Sequence, residues 1–276
     1  MVPDVARADR LGLRPLTVYA VAMPHSNTGV MTEPLPHPAA HDAELADRGW
    51  TLLEGVFDAT AVAEMRNLLH GAFVAADGDE SVRRRDAAVY AARNVIDVCP
   101  DVTSVWRTPA LVSLVTRMLG PQCGLVRVLY FDKPPDQTWA LPWHKDLMIA
   151  IADSQVPGGY SRPRLRAGVF HTEPPLEVLE GMLTLRIHLD NANADNGALE
   201  VLSGSHRSGK GTAVGFRREM VTADPGDVLL MRPLLSHASG RSSPNTRSHR
   251  RILHLEFARS DVLPGRVRWN WFFHVG

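Results

Sequence analysis

The sequence predicts an α+β fold, in which helices come first and the strands of a double-sheet jelly roll follow. Apolar residues recur at helical spacing between about residues 58 and 120, whereas after Gly124 they alternate with polar residues, as in strands. Groups of Gly and Asn separate the alternating segments, which is typical of antiparallel strands joined by tight turns. With 276 residues and a 45% hydrophobic composition, the chain suits one elaborated domain with a large core.

The composition favours a small-molecule partner. Lys and Arg together number 30, as do Asp and Glu, so no net charge draws the chain to nucleic acid or to a membrane surface. Cys99 and Cys123 are the only cysteines, which excludes a disulfide framework and a Cys-type zinc site. Their scarcity indicates a reducing, cytoplasmic compartment. The oligomeric state is left open.

Residues 1–41 are predicted to form a disordered tail, and residues 42–276 a single domain. The segment from Pro24 to His41 is polar and rich in proline. A short apolar run, Leu16 to Met23, follows three arginines and faintly resembles a secretory signal. Acidic residues among those arginines and the short length of the run argue against that interpretation. No apolar run is long enough to cross a bilayer.

A short strand and turn over Trp50–Phe57 and two helices are expected before the main strands. The first helix begins after Asp58 or Thr60, either of which can cap it. Its apolar face is predicted to pack on the core through Val62, Met65, Leu69 and Phe73. The second helix is capped by Thr108, with Pro109 in its first turn, and ends at Gly120.

Met182 to Asp190 is the clearest strand of the sequence. Its apolar side chains point one way and its polar side chains the other, the polar set being Thr184, Arg186, His188 and Asp190. A wholly polar face in mid-sequence either meets water or lines a polar cavity. Further strands are predicted at residues 125–131, 143–151, 198–202, 228–231 and 252–257.

The residues that carry chemistry are His144 and Asp146, on the predicted strand Trp143–Ile151, and His237, which follows the strand after the Gly226-Asp227 turn. Two imidazoles and one carboxylate on one face of a divalent iron leave three coordination positions open for substrates and oxygen. A His-x-Asp or His-x-Glu pair alone proves little among 12 histidines and 30 acidic residues. The competing pairs are His188/Asp190, which is the main one, His171/Glu173 and His254/Glu256.

Four segments carry a family resemblance: Phe131–Asp136, His144–Asp146, Asn196–His206, and His237–Ser239 followed by Asn245, Arg250 and Arg251. In this order and spacing they resemble the phytanoyl-CoA dioxygenase family of Fe(II)- and 2-oxoglutarate-dependent oxygenases. The likeness covers about residues 49–257. It implies a double-stranded β-helix, which is a cupin-like jelly roll with flanking N-terminal helices.

The resemblance also implies the chemistry. His144, Asp146 and His237 would bind Fe(II), and 2-oxoglutarate and O2 would be consumed while a substrate C–H bond is hydroxylated or otherwise oxidised, with succinate and CO2 as co-products. The arginine that grips the distal carboxylate of 2-oxoglutarate falls on Arg250, although the adjacent Arg251 is the alternative. A guanidinium suits this role because it makes two parallel hydrogen bonds to a carboxylate.

Other residues are candidates to line the site. Those for 2-oxoglutarate are Lys133, Lys145, Thr184 and Arg186, and those for the surroundings of the metal are Trp143, His206 and Ser239. On the strand that begins at Arg250, residues of even number share one face, so Arg250 is expected to lie with Ile252, His254 and Glu256. The register of the sheet decides whether that face is the interior.

The substrate cannot be deduced from the sequence. The connection from Ala152 to Pro175 is long, shows no clear secondary structure and carries several arginines, so it is a candidate lid or binding loop. Two alternatives to the oxygenase stay open: a cupin-like isomerase or hydrolase that needs neither Arg250 nor 2-oxoglutarate, and a non-catalytic jelly-roll binding protein.

Overall fold

A computed structural model describes residues 36–135 and 139–276. The predicted tail up to residue 35, together with Asp136 of the family motif, lies outside the described residues. The first helix begins at Pro38, four residues before the predicted start of the domain, and the division of the chain at residue 42 stays a prediction. The helices are α1 (Pro38–Asp47), α2 (Ala59–Ala75), α3 (Val95–Val98), α4 (Pro109–Leu119) and α5 (Leu176–Glu180).

Most strands follow α4. The first eight are β1 (Trp50–Leu53), β2 (Val82–Arg85), β3 (Ala88–Ala92), β4 (Gly124–Lys133), β5 (Leu141–His144), β6 (Ile149–Ile151), β7 (Arg164–Arg166) and β8 (Val169–Thr172). The others are β9 (Met182–His188), β10 (Leu199–Ser203), β11 (Arg217–Val221), β12 (Val228–Met231), β13 (His237–Ser239), β14 (Arg250–Ala258) and β15 (Phe273–His274).

The caps of the two long helices are those that the sequence predicts. The carboxylate of Asp58 accepts a hydrogen bond from the Ala61 amide at 2.9 Å, which begins α2. The hydroxyl of Thr108 accepts one from the Leu111 amide at 3.1 Å, which begins α4. The predicted apolar stripe of α2 is buried, and with α4 it covers one face of the large sheet.

The fold is a double-sheet jelly roll, as predicted. The large sheet has the strand order β1-β12-β9-β14-β4-β3-β2, with β15 also pairing with β4. The small sheet has the order β11-β10-β13-β5. The two sheets meet where the ammonium of Lys133 on β4 donates a hydrogen bond to the hydroxyl of Ser239 on β13 at 3.1 Å. The space between the sheets therefore contains polar side chains.

The polar face of β9 points into this space and does not meet bulk water. Leu183, Leu185 and Ile187 belong to the core beneath the helices. Thr184, Arg186 and His188 are also buried, although they point the opposite way. A polar and buried face requires partners in the interior.

Two predictions about connections were wrong. Residues 143–151 do not form one strand: β5 ends at His144, and β6 starts at Ile149. Asp146 leaves the strand ladder because its amide donates a hydrogen bond to the Pro233 carbonyl at 2.9 Å. The connection from Ala152 to Pro175 is not structureless, since β7 and β8 form a hairpin that joins β6 in a three-stranded sheet. No helix among the described residues is both long and apolar enough to span a membrane.

Candidate metal centre and cosubstrate pocket

The pairing of β5 with β13 brings two histidines together. His144 and His237 are directly opposite each other in the ladder, and their ring centroids are 4.2 Å apart. Asp146 places Oδ1 4.0 Å from Nε2 of His144 and Oδ2 3.6 Å from Nε2 of His237. One ligand atom of each of the three residues lies within 4.8 Å of the others. The three side chains thus converge on one point.

Both imidazoles are oriented as metal ligands. Nδ1 of His144 donates to the Pro142 carbonyl at 2.8 Å, and Nδ1 of His237 donates to the Leu235 carbonyl at 2.9 Å. Because a carbonyl can only accept, the proton is on Nδ1 and the lone pair of Nε2 faces the other histidine and Asp146. Burial lowers the pKa of His237 to about 4 despite the nearby carboxylate of Asp146, so the ring is neutral at pH 7.

Asp146 supplies a charged oxygen that has no protein partner. Burial by itself would raise its pKa, but His237, His254 and His144, together with Arg186, lower the pKa to about 2. Its Oδ2 atom is inaccessible to solvent and has no hydrogen-bond partner among the described residues. A buried carboxylate oxygen facing two imidazole lone pairs fits a divalent cation, and this donor set is that of non-haem iron sites.

The competing pair His188 and Asp190 does not converge. His188 points into the interior, where burial and the nearby Arg186 and Arg250 lower its pKa to about 3. Asp190 accepts two hydrogen bonds from the Arg251 guanidinium, at 2.7 and 2.8 Å, on the helical side of the sheet. Among the described residues, the group of His144, Asp146 and His237 alone has the geometry of a metal site.

The structure distinguishes the two candidate arginines. Arg250 is 5% exposed and lies in the interior, with Nε and Nη1 lacking any hydrogen-bond partner among the described residues. Burial and the neighbouring Arg186 lower its pKa to about 9, which leaves it charged at pH 7. Arg251 points the other way, onto Asp190. An unpaired buried guanidinium requires an anion, whereas a paired one does not.

Lys133 and Ser239 lie beside Arg250. Lys133 is opposite Arg250 in the β4–β14 ladder, is almost fully buried, and donates hydrogen bonds to the Ser239 hydroxyl and the Gly240 carbonyl. Burial, followed by the charge of Arg250, lowers the pKa of Lys133 to about 7. This end of the interior has two cationic side chains and is suited to a carboxylate.

Thr184 and Arg186 also point into the interior. Nη1 of Arg186 lies 3.4 Å from Nδ1 of His254, and Nε of Arg186 has no partner among the described residues. The hydroxyl of Thr184 is likewise buried without a partner there. Arg186 is close enough to Asp146 to lower its pKa, so it lies beside the metal site.

Lys145 and Trp143 lie outside this group. Trp143 precedes His144 on β5 and therefore points to the opposite face of the small sheet, whereas Lys145 follows the end of that strand. Trp143 is 41% exposed. The ammonium of Lys145 donates hydrogen bonds to the turn after β10, at the Ser205 carbonyl, the Ser208 hydroxyl and the Gly209 carbonyl.

His206 is also placed away from the metal group. Its Nε2 lies 3.3 Å from the Ala46 carbonyl, at the end of α1. The ring packs against Gly49, where a Cβ atom would approach Nδ1 to 2.4 Å. Its contacts therefore belong to the junction of α1 and β1.

The sequence motifs assigned no role to an interior group around His254. His254, Glu256 and Arg127 are at most 7% exposed and lie on the same interior face as Arg250. The signal that could have identified His254 and Glu256 is the alternation along residues 250–256, which is polar at every second position except Ile252.

Comparison with known proteins agrees with this geometry. A family model described as phytanoyl-CoA dioxygenase (PhyH) matches residues 45–249. AviO1 from Streptomyces viridochromogenes Tue57 is 21% identical over 84% of this chain and 99% of that chain, with a TM-score of 0.59. EctD from S. alaskensis, solved with bound Fe, is 19% identical over 82% of this chain and 81% of that chain, with a TM-score of 0.61.

A third similar structure is SnoN, described as a non-heme alpha-ketoglutarate-dependent epimerase from nogalamycin biosynthesis. It is 16% identical over 83% of this chain and 90% of that chain, with a TM-score of 0.56. At these identities the solved structures show a shared fold, whereas the family match extends over most of the chain and includes all three converging residues. The chain therefore belongs to the phytanoyl-CoA dioxygenase family, whose enzymes are non-haem iron oxygenases that use 2-oxoglutarate.

Proposed function

We propose that this enzyme oxidises a C–H bond of a small-molecule substrate, with hydroxylation as its basic reaction, and that His144, Asp146 and His237 hold the iron while Arg250 holds 2-oxoglutarate. The observation that carries the proposal is that two buried charged groups between the sheets have atoms without hydrogen-bond partners. The unpartnered Oδ2 of Asp146 calls for a cation, and the unpartnered guanidinium of Arg250 calls for an anion. Fe(II) and the 2-oxoglutarate dianion provide both.

Each residue has a definite task. When bound, Fe(II) and 2-oxoglutarate supply the oxidising chemistry, which consumes O2 and releases succinate and CO2. His144 and His237 direct their Nε2 lone pairs at the metal because their Nδ1 protons are held by backbone carbonyls. Arg250 offers a planar fork to the distal carboxylate, and Lys133 and Ser239 add donors beside it.

The cosubstrate is positioned by rigid elements. Arg250 and Lys133 are opposite each other on the two most extensively paired strands of the large sheet. Burial excludes water from the carboxylate site and strengthens its electrostatic interactions. The ladder would therefore hold the distal carboxylate of 2-oxoglutarate at a fixed distance from His144 and His237, which lie on the small sheet.

An anaerobic titration with Fe(II) and 2-oxoglutarate tests the proposal. The weak visible charge-transfer band of the chelate is recorded for the wild type and for His144→Ala, Arg250→Ala and Arg251→Ala. We expect the band in the wild type and its loss in His144→Ala. Arg250→Ala should need about 10–100-fold more 2-oxoglutarate, which is the effect of losing a charge-assisted hydrogen bond.

Arg251→Ala is the matched control, because it removes the neighbouring guanidinium from the opposite face. We expect its 2-oxoglutarate requirement to match that of the wild type. Iron binding without the band in the wild type would contradict the proposal and favour the isomerase or hydrolase alternative. A band without succinate formation for any substrate would favour the non-catalytic alternative.

A further inference from the structure

The proposed function leaves a second group of buried polar atoms without an assigned partner. The atoms Nε of Arg127, Nε2 of His171, Oγ1 of Thr184 and Nε2 of His254 are inaccessible to solvent and lack hydrogen-bond partners among the described residues. Buried polar groups are nearly always satisfied in folded proteins, so a cluster of exceptions needs an explanation. A bound molecule that supplies the missing partners is one.

The register of the large sheet places this group on the far side of the proposed metal site from Arg250. Along β14, Arg250 is opposite Lys133, His254 is opposite Arg186, and Glu256 is opposite both Arg127 and Thr184. The row of His254 and Arg186 is close enough to Asp146 to lower its pKa, so it lies nearest the proposed metal site. Arg250 and Lys133, which are proposed to bind 2-oxoglutarate, lie on one side of this row along the strands, and Arg127, Glu256 and Thr184 lie on the other.

The hydrogen-bonding roles in this half of the interior can be assigned. Nη1 of Arg186 can only donate, so Nδ1 of His254 accepts at 3.4 Å, and its Nε2 carries a proton. That Nε2 is 3.4 Å from Oε1 of Glu256 without forming a hydrogen bond. Glu256 accepts a hydrogen bond at 3.2 Å from Arg127, which also donates to the Met148 carbonyl at 3.1 Å. His254 and Arg127 thus offer unused donors.

His171 offers an unused acceptor. Its Nδ1 donates to the Val169 carbonyl at 3.1 Å, so Nε2 carries the lone pair. Burial, followed by the charge of Arg127, lowers the pKa of His171 to about 4, so the ring is neutral at pH 7. Arg127 is thus one of the charged groups that faces this acceptor, and Arg93 and Glu256 are the others.

Arg93 adds an unpaired cation. Ala91 is opposite Phe131 and Ala92 is opposite Tyr130, so Arg93 follows beside Leu129. Arg93 follows the end of β3 and is half-buried. Burial, followed by the charge of Arg127, lowers the pKa of Arg93, and the charge of Arg93 helps to lower the pKa of His171, so the three side chains lie near one another. In the part of the chain that the structure describes, the Arg93 guanidinium forms no ion pair or hydrogen bond, whereas Arg127 is paired with Glu256.

We infer that this half of the interior is the substrate pocket, and that it takes a small polar molecule bearing a carboxylate for Arg93 and Arg127 and a hydroxyl or amino group for His171. The inference rests on the proposed function and names its substrate class. An apolar acyl chain would leave the donors of Arg127 and His254 and the acceptor of His171 unsatisfied, at a cost to binding. A polar carboxylate satisfies them.

The test uses the full chain loaded with Fe(II) and 2-oxoglutarate, after the chelate band has been verified. Short hydroxy- and amino-carboxylates, their primary amides and apolar acyl thioesters of matching length are compared for stimulation of succinate formation and O2 uptake. We expect carboxylates to stimulate the wild type and their amides to do so far less. Arg93→Met should lower the response to carboxylates by about 10–100-fold, with the chelate band and the response to amides unchanged.

Two further variants make the test specific. Arg93→Lys keeps the charge and should retain most of the preference for carboxylates. Arg217→Met makes the same substitution at an exposed position of β11 and should behave as the wild type. The inference would be overturned by equal stimulation by amides, by stimulation with the apolar thioesters instead, or by stimulation with no carboxylate. Equal behaviour of Arg93→Met and Arg217→Met would also overturn it. Absence of the chelate band would overturn the proposed function itself.

Discussion

The two faces of β14 carry opposite kinds of buried residue. On the face toward the helices, Leu253, Leu255 and Phe257 pack in one apolar core, and Arg251 is paired with Asp190. On the face toward the small sheet, Arg250 and the residues at alternate positions after it are as deeply buried, yet several of their polar atoms have no partner in the described structure. The side chains of the helical face find their partners within the protein. The unpartnered polar atoms of the interior face would find theirs only in bound ligands.

This difference separates stability from function within a single strand. Apolar packing stabilises the fold whether or not a ligand is present. An unpaired buried charge destabilises the free protein and is retained where it binds something. Substitutions on the two faces should therefore change different measurements.

The largest change in stability is expected on the helical face. Leu253→Ala removes a fully buried side chain and leaves a cavity between the sheet and the helices. We expect the free energy of unfolding to fall by about 2–5 kcal/mol, measured by urea denaturation of the metal-free protein. The 2-oxoglutarate requirement of the fraction that stays folded should match that of the wild type. A large change in that requirement would show that the two faces are coupled.

Arg250→Met should have the opposite pattern. The substitution removes an unpaired guanidinium and leaves an apolar side chain of similar length. We expect the metal-free protein to become more stable, by about 1–3 kcal/mol in the same urea experiment, because the desolvated charge is gone. Lower stability would mean that Arg250 has a structural partner in the free protein, and the comparison between the faces would fail.

Much of the fold and the metal group could be predicted from the sequence, because both depend on local patterns. Capping by Asp58 and Thr108 and the alternation along Met182–His188 are properties of neighbouring residues. His144 and Asp146 are only two residues apart, so the chain itself keeps their side chains close together. His237 faces His144 because β5 pairs with β13. In the sequence, only the order of the motifs along the chain suggested this pairing.

The rest of the site depends on register, which the sequence does not specify. The alternation along β14 separates Arg250 from Arg251 but does not say which face is interior. Lys145 follows the end of β5, and its contacts with the turn after β10 join segments about 60 residues apart, which alternation does not predict. The roles of Arg127 and Arg93 require contacts across strands far apart in the chain, and no local pattern marks them.

The smallest expected effect is a pH dependence of stability and of 2-oxoglutarate binding that arises from Lys133 on the interior face. Burial and Arg250 lower the pKa of Lys133 from 10.5 to about 7. Because the unfolded chain binds this proton up to higher pH, Lys133 makes the metal-free protein less stable near neutral pH, and its unfavourable contribution fades as pH rises from about 7 toward 10.5. A bound carboxylate reverses the preference, since it favours the charged ammonium.

Affinity for 2-oxoglutarate should therefore be highest below about pH 7 and fall above it, by at most about tenfold per pH unit, because binding must then take up a proton. The measurement is anaerobic titration of the chelate band at pH values from 6 to 9. Lys133→Met serves as the control: it should bind 2-oxoglutarate more weakly at pH 6 and lose most of the decline between pH 7 and 8. A wild-type profile that is flat over this range, or a decline that persists unchanged in Lys133→Met, would show that the ammonium does not face the cosubstrate. In that case only the arginines of the interior face would favour the binding of an anion.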